Sequence, residues 1–535
     1  MAAPRLPSAA RGPDRPPTFE ELTPEQHRLL AYASAIGSEF DFDLLVGAMG
    51  LGEEELAEEL EKLVHAGILR ERPGGERFGF VEEEFRGRVY RSLTESRLRV
   101  LHRKIAEVME RAHPDPPPEV LGELGRHYFL GKVPEKSYLY NRNAAEAARS
   151  AAEPELAAHH LQRVLLDLTQ FGTERRREQA EVAEALGDLF YSTGDFASAD
   201  RYFSEAIERL GNESPRVRAR LLLARAEVAR ENLNVAEATR GAIEARHLFE
   251  SENDHLGVAQ TYRLLGRVAF QRGAYRDALD ESMRAFELLG ASRDPRLLGR
   301  LSIDIGNSFA LLGPEVRGIA IEWYERAVER LRQTGDWVEL SRAYHNLGVA
   351  VGEIRPQDGL DYLERARDAG DRAHDPRSTG RALLSGVEMR LALGQLEEAE
   401  RDNEQAGRIL ERLQDELGIE QVEVNRGHID ERRGQWEDAE HAYERAADIC
   451  RKFHLPADEA EVEFHLARLR FKTRDLEGAR RALRLAATLG LPEARPQLAP
   501  AFDDLKRQLE RGGVDAPPGE RVAAVRPDPA AGREL

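Results

Sequence analysis

The stretch LGDLFYSTGDFASADRYFSEAIERL, Leu186 to Leu210, decides the fold of this chain. It reads L-G-x2-F, then G-D-F, then A-x3-F-x2-A. Gly194–Asp195 divides it into two helical segments, because glycine ends one helix and aspartate opens the next. Leu186, Phe190, Phe196 and Phe203 are large and apolar, whereas Gly187, Ala199 and Ala206 are small. Small residues let two helix backbones approach, and large ones fill the space beside the contact. The segment predicts a helical hairpin, an A helix and a B helix joined by a tight turn.

The same frame recurs along the chain. It returns as Leu265, Gly266, Gly273, Tyr275, Ala278 and Ala285, and as Ile305, Gly306, Phe309 and Gly313. After that Gly313, Ala320, Tyr324 and Ala327 arrive two residues late. Further copies fall on Leu347, Gly348, Leu363 and Ala366, and on Gly394, Leu396, Ala399 and Ala406. The last are Gly427, Gly434, Trp436, Ala439, Tyr443 and Ala446, then Leu466, Leu476, Ala479 and Ala486. Two copies are degenerate, one on Ala157 and Leu161, one on Ala238, Ala242 and Ala245. The leading B-helix residues, Ala157, Ala199, Ala238, Ala278, Ala320, Gly359, Ala399, Ala439 and Ala479, are spaced by 39 to 42. The pattern resembles the tetratricopeptide repeat, whose minimal unit is about 34 residues, so each hairpin here is longer. The fold class that follows is all-α, a right-handed tetratricopeptide α-solenoid over residues 176–495. A helical connector with the first degenerate repeat precedes it over 94–175. The amphipathic segment AFDDLKRQLERGG, Ala501–Gly513, predicts a capping helix within 496–513, which an open solenoid end needs.

Composition agrees with narrow apolar seams in place of one thick core. Of 535 residues, 33% are charged and 41% hydrophobic, and the formal net charge is −20. That charge repels nucleic acid overall. The lone cysteine, Cys450, excludes an intramolecular disulfide; its alanine-rich helical surroundings predict a small buried residue. No apolar run approaches the roughly 20 residues of a membrane span. Residues 1–18 and 514–535 read as disordered tails, and the Arg- and Pro-rich start lacks the apolar stretch of a secretory signal. The localisation these features predict is cytoplasmic.

Residues 19–93 differ from the repeats. Thr23, Pro24 and Gln26 predict a helix to Ile36, with threonine as cap and Gln26 completing a capping box. Helices are expected over Asp43–Met49 and Glu53–His65. Gly67–Phe80 alternates and turns at Pro73–Gly74–Gly75, which predicts a β-hairpin. Three helices and a hairpin predict a small winged-helix module. The third helix would enter a DNA groove, yet it carries Glu53, Glu54, Glu55, Glu58, Glu59 and Glu61 against Lys62. Carboxylates cannot replace the counterions that a phosphate backbone releases.

The order of parts resembles the sensor half of STAND-type signalling ATPases, including their MalT-like and kinase-linked relatives. The resemblance rests on Leu29–Leu45, Leu60–Arg72, Phe80–Leu93, Arg99–Glu110 and Ala144–Leu168. It implies a winged helix lying between an ATPase core and tetratricopeptide repeats. No phosphate-cradling Walker A sequence is present; the nearest look-alike, Gly125 to Gly131–Lys132–Val133, has one residue too many and lacks Ser or Thr. Family members often read F-R-H-D where this chain has Phe80–Val81–Glu82–Glu83, so Glu82 stands where a histidine would approach phosphate. The expectation is a stand-alone sensor half, without the ATPase core or with nucleotide control supplied by another chain.

Sequence patterns of catalysis are absent: there is no HExxH, GxSxG, EF-hand loop or GxGxxG. His159 and His160 are adjacent, about 100° apart on a helix, and form no i, i+4 metal pair. The reading is a non-enzyme without cofactor or metal. In a tetratricopeptide array the A helices line the concave groove. Counting from the A-helix glycine, the inward positions are Gln260, Arg263, Arg267 and Phe270, then Arg300 and Asn307, then Arg342, His345 and Asn346, then Arg381. Asn425, His428, His465 and Arg468 complete them. Arg300, Arg342 and Arg381 share one position in three successive repeats. Arginine forks match carboxylates, and asparagine donates to peptide backbone. The expected function is a protein- or peptide-binding scaffold or regulatory subunit, its partner acidic or presenting a C-terminus, with a separate ATPase or kinase as a further partner class. The alternative is a ligand-responsive transcription regulator using the winged helix on DNA through Arg70, Arg72 and Arg77. Nucleic acid and membrane are not among the expected partners of the first reading.

Overall fold

Threonine before proline sets the first helix of the computed structural model, which describes residues 21–211, 214–290, 294–495 and 497–511. Thr23 caps α1 (Pro24–Ile36): its Oγ1 accepts the Gln26 N–H at 3.2 Å, and Gln26 Oε1 accepts the Thr23 N–H at 3.1 Å. The reciprocal box satisfies donors that a helix start leaves unpaired. There follow β1 (Glu39–Asp41), α2 (Phe42–Met49), α3 (Glu53–His65), β2 (Leu69–Glu71) and β3 (Arg77–Phe80). β2 and β3 form the expected hairpin, turning through Gly74 and Gly75 at positive φ. β1 was not expected; it pairs antiparallel with the free edge of β3, giving the order β1-β3-β2. Three residues are too few to display a strand's period of two. Leu56, Leu60 and Leu63 of α3 are buried, which turns its glutamates outward.

The next helices are α4 (Glu83–Ser92), α5 (Glu95–Ala112) and α6 (Pro118–Leu130). A buried polar relay ties them to α1. Arg126 donates to the Ile36 carbonyl at 2.8 Å and to His127 Nε2 at 2.9 Å. An arginine only donates, so the His127 proton sits on Nδ1 and points to His102 Nδ1, 2.9 Å away. His102 is then left with its proton on Nε2, 2.9 Å from the Tyr90 hydroxyl. Burial first, and the Arg126 charge second, lower both pKa values, His102 to about 4.

The chain divides into two compact units at Glu244/Ala245. The first continues with α7 (Pro134–Ser150), α8 (Pro154–Gln170), α9 (Arg176–Ser192), α10 (Phe196–Leu210), α11 (Pro215–Glu231) and most of α12 (Val235–Ser251). The second holds the end of α12, then α13 (His255–Gln271), α14 (Tyr275–Leu289), α15 (Pro295–Leu312), α16 (Arg317–Leu331), α17 (Trp337–Gly352) and α18 (Pro356–Arg372). It ends with α19 (Pro376–Ala392), α20 (Leu396–Arg412), α21 (Glu416–Arg433), α22 (Trp436–Phe453), α23 (Pro456–Lys472), α24 (Leu476–Thr488), α25 (Leu491–Ala494) and α26 (Ala499–Glu510). The described residues are overwhelmingly helical, and from α7 onward odd-numbered helices are A and even-numbered ones B.

Each hairpin closes on the small residues of the repeat frame. A Cβ on Gly187 would lie 2.6 Å from the Phe203 ring; on Gly306, 2.6 Å from Tyr324; on Gly427, 2.4 Å from Tyr443. The large B-helix side chain therefore sits where an A-helix side chain would otherwise stand. Seven residues after each leading B-helix position from Ala199 onward, Ala206, Ala245, Ala285, Ala327, Ala366, Ala406, Ala446 and Ala486 are wholly buried. The two late residues before Ala320 form a 3-10 turn at Pro314–Val316, which lengthens the connection and leaves the hairpin intact. Aspartates start many helices: Asp195, Asp254, Asp294, Asp336, Asp375, Asp415 and Asp475 each accept a backbone N–H from the first turn. Cys450 is buried, and burial pushes its thiol pKa up.

α26 supplies the expected last amphipathic helix, with Phe502, Leu505 and Leu509 buried. The predicted tails, 1–18 and 514–535, lie outside the described residues. Among the described residues no helix is long and apolar enough to cross a membrane.

Gly427→Ala should lower the urea unfolding midpoint, at a cost of about 1–3 kcal/mol, because the Tyr443 ring cannot yield without leaving its seat. Gly394→Ala tests the other use of glycine. At φ +75° with open space around it, it should cost only about 1 kcal/mol, from left-handed backbone alone.

Candidate partner-binding face

The A helices of the second unit carry the predicted groove residues, and their side chains are joined one repeat to the next. Arg263 on α13 donates to Asp304 on α15 at 2.7 Å, and both side chains are only 13% exposed. Arg300 on α15 meets Asp336 at 3.2 Å and Glu339 on α17 at 2.9 Å. Glu339 also holds Arg342 at 3.0 Å. Arg267 and Arg381 are likewise engaged with neighbours. Arg263, Arg300 and Arg342 are held by carboxylates that the pattern of arginines in the sequence does not reveal. Removing one member of such a shielded pair strands the other.

The neutral groups form a second ladder. Asn307 Oδ1 accepts from the Tyr324 hydroxyl and from Asn346 Nδ2, both at 2.8 Å. Asn346 Oδ1 lies 3.1 Å from His345 Nδ1, and His345 Nε2 lies 3.0 Å from Ser385 Oγ on α19. With Nδ1–H directed at the Asn346 oxygen, His345 Nε2 accepts from Ser385. Asn425 on α21 donates weakly to the Leu384 carbonyl at 3.4 Å and has no exposed surface. Asn307, His345, Asn346 and Asn425 are thus spent on holding adjacent repeats in register. Burial, with Arg381 adding to it, lowers the His345 pKa to about 4.

The last repeats differ. His428 on α21 and His465 on α23 face each other edge to face, centroids 4.7 Å apart, and Tyr443 stacks on His465 at 5.5 Å. The Tyr443 hydroxyl donates to Glu431 at 2.7 Å, and Lys472 holds the other oxygen of that carboxylate at 2.6 Å. Burial pushes His428 down to about 4 and His465 further, so both rings are neutral at neutral pH. Burial alone would raise Glu431, but Lys472, the Tyr443 hydrogen bond and the nearby charge of Arg468 together hold it below its usual range. Arg468 lies one turn from this cluster, part-buried, its guanidinium 5.9 Å from the Phe464 ring centroid. Among the described residues it makes no ion pair and no hydrogen bond. Gln260 is exposed on α13, and Phe270 packs edge-on against Tyr275 at 5.3 Å, filling its own hairpin.

The hairpin β2–β3 presents its arginines to β1. Arg77 pairs with Asp41 at 3.0 Å and Arg72 with Glu39, whose carboxyl is held below its usual range mainly by that bond. Glu82 is exposed at the start of α4. Among the described residues no group of three or more His, Cys, Asp or Glu is placed to hold a metal ion.

No family model matches the chain, and no curated protein matches it. Solved structures do. The chain is similar to a STAND protein with a tetratricopeptide repeat sensor from Pyrococcus horikoshii, at 15% identity and a TM-score of 0.46, over 83% of this chain and 66% of that one. It is similar to the apo form of RapI at 14% identity and TM-score 0.41, covering 52% of this chain and 99% of that one. It also resembles the APC/C hetero-tetramer Cut9–Hcn1 at 14% identity and TM-score 0.37, over 80% and 96% of the two chains.

The buried ring of His345 sets a pH test. Its folded pKa of about 4 lies below the ordinary 6.5, so the folded protein takes up fewer protons in that range than the unfolded one. The stability it contributes is present above pH 6.5 and is lost as pH falls through about 4. His345→Gln should flatten the decline of the unfolding midpoint between those values, measured by denaturation at stepped pH.

Proposed function

We propose that this chain is a non-enzymatic tetratricopeptide scaffold or signal-sensing subunit. It holds a protein or peptide partner on its A-helix face, and that partner offers a carboxylate. The observation that carries this reading is Arg468. Every other predicted arginine of the face is engaged with neighbouring groups, whereas Arg468 has no ion pair or hydrogen bond among the described residues. It lies beside neutral His428 and His465 and beside Lys472, whose charge is spent on Glu431. An incoming carboxylate would meet one unspent guanidinium in partly dehydrated surroundings, where a charge-assisted bond is strong. The ion-paired Arg263, Arg300 and Arg342 stiffen the earlier repeats of the same unit, which spares a partner the cost of ordering them.

Residues 19–93 we read as a winged helix kept for packing. The glutamates of α3 face outward and Arg72 and Arg77 are paired with β1, which leaves little positive charge for DNA. The STAND-like order of parts favours a separate ATPase or kinase as the partner class.

The test is a display library of peptides with free or amidated C-termini, panned on the intact protein and on Arg468→Ala. Free-carboxylate peptides should bind the intact protein at least about ten-fold more tightly than their amides, a difference of about 1.4 kcal/mol. The variant should lose that preference while keeping its circular dichroism and unfolding midpoint. Equal capture of amides and acids by the intact protein would discard the carboxylate reading.

A further inference from the structure

A second arginine without an ion pair or hydrogen bond lies in the first unit. Arg163 on α8 is part-buried, and among the described residues it makes no hydrogen bond and no ion pair. Glu123 and Asp167 act on it only through space, and a part-buried guanidinium without a direct partner gains from an anion in bonding reach.

The surroundings answer in chemistry. α6 and α8 touch at Gly122, where a Cβ would come within 3.3 Å of the His160 ring. One turn further along each helix stand Arg126 and Arg163. The Phe129 ring anchors the same spot: Arg163 lies 5.9 Å from its centroid and Lys132, from the turn after α6, lies 5.1 Å from it. Arg126 and Arg163 are near enough to disfavour one another's charge. Two carboxylates could have neutralised the group. Glu123 is half-exposed and bonded to Arg126 at 2.6 Å. Asp167, one turn after Arg163 on the same helix, is turned inward towards Ser137. It is almost wholly buried, with Oδ2 unpaired, and burial raises it to about 6. The fold thus keeps Asp167 near enough to act on Arg163 through space but out of bonding reach.

We infer that Arg126, Lys132 and Arg163, between α6 and α8, form a binding site for a phosphate dianion, free or as the phosphomonoester of a small molecule. Three cations face Glu123 and the inward-turned Asp167, which leaves a positive surplus, and the oxygens of a phosphate can take an arginine fork and a lysine at once. Arg163 supplies an unoccupied fork, Arg126 its Nη1 donor, with Nε and Nη2 already held by Glu123, the Ile36 carbonyl and His127, and Lys132 a mobile point charge. Because Arg126 also bonds to α1, occupancy of the site would stiffen the join between the N-terminal module and the first helices.

The experiment is calorimetric titration of the full chain at pH 7.5 with inorganic phosphate, with glycerol phosphate and with acetate, at matched ionic strength, with thermal unfolding in parallel. Phosphate is expected to bind and raise the unfolding temperature, and acetate to do neither. Glycerol phosphate binding more tightly than phosphate would assign the natural source to a phosphomonoester; the reverse would assign it to the free ion. Arg163→Gln should weaken binding at least about ten-fold. Glu123→Gln should tighten it, a change of opposite sign that loss of folding cannot imitate. No heat with phosphate, equal effects of acetate, or undiminished binding by a folded Arg163→Gln would each overturn the proposal. Peptide capture at Arg468 is measured separately, in the other unit, so failure of one reading leaves the other standing.

Discussion

The close approach of two helices within each hairpin is the constraint on which the rest depends. At Gly187, Gly306 and Gly427 an added carbon would come within 2.4 to 2.6 Å of a B-helix aromatic ring. The glycine creates a vacancy, the ring fills it, and the depth of that seat sets the spacing of the pair. Alanines seven residues apart along the B helix then let the next A helix approach at a repeating distance. Packing of this kind is near native density only if the small residues keep their places, and so the forty-residue period persists while most surface positions drift.

Fixed spacing has an electrostatic consequence. Residues one repeat apart are brought within bonding distance, as in Arg263–Asp304, Asn307–Asn346, His345–Ser385 and Lys472–Glu431, at sequence separations of 39 to 41. A chain with 33% charged residues can therefore bury part of its charge without stranding it. The ladders also hold register: sliding one repeat against the next would break several such bonds at once, each left buried and unpaired. Against that background, a part-buried arginine with no ion pair or hydrogen bond stands out, and Arg163 and Arg468 are two of these among the described residues.

Buried histidines add a second shared property. His102, His345 and His428 are all held near 4 by burial, so each ring is neutral at neutral pH. In the Arg126–His127–His102–Tyr90 relay the direction of every proton follows from the fact that arginine has nothing to accept with. Protonating either histidine would put two donors face to face, so the contacts between the N-terminal module and α6 depend on neutral imidazole.

The repeat frame was legible because the A and B helices are local objects, and their signal, small and large residues at helical spacing, lies within about 25 residues. Leu186 to Leu210 alone predicts the α9–α10 hairpin; Thr23 and Gln26 predict the cap of α1. Strand β1 was not legible, since three residues carry no period and are stabilised wholly by β3. The candidate face was half legible: the arginines could be placed on it, but their acids could not. Whether Arg300 is a free ligand or half of a bridge to Asp336 depends on a distance across 36 residues, which only the packing of α15 on α17 decides. The sequence by itself determined which helices form and how they pair, because those choices are made by neighbours along the chain. The tertiary structure decided which charges are already answered, because that is settled between helices by angstroms that no local pattern records.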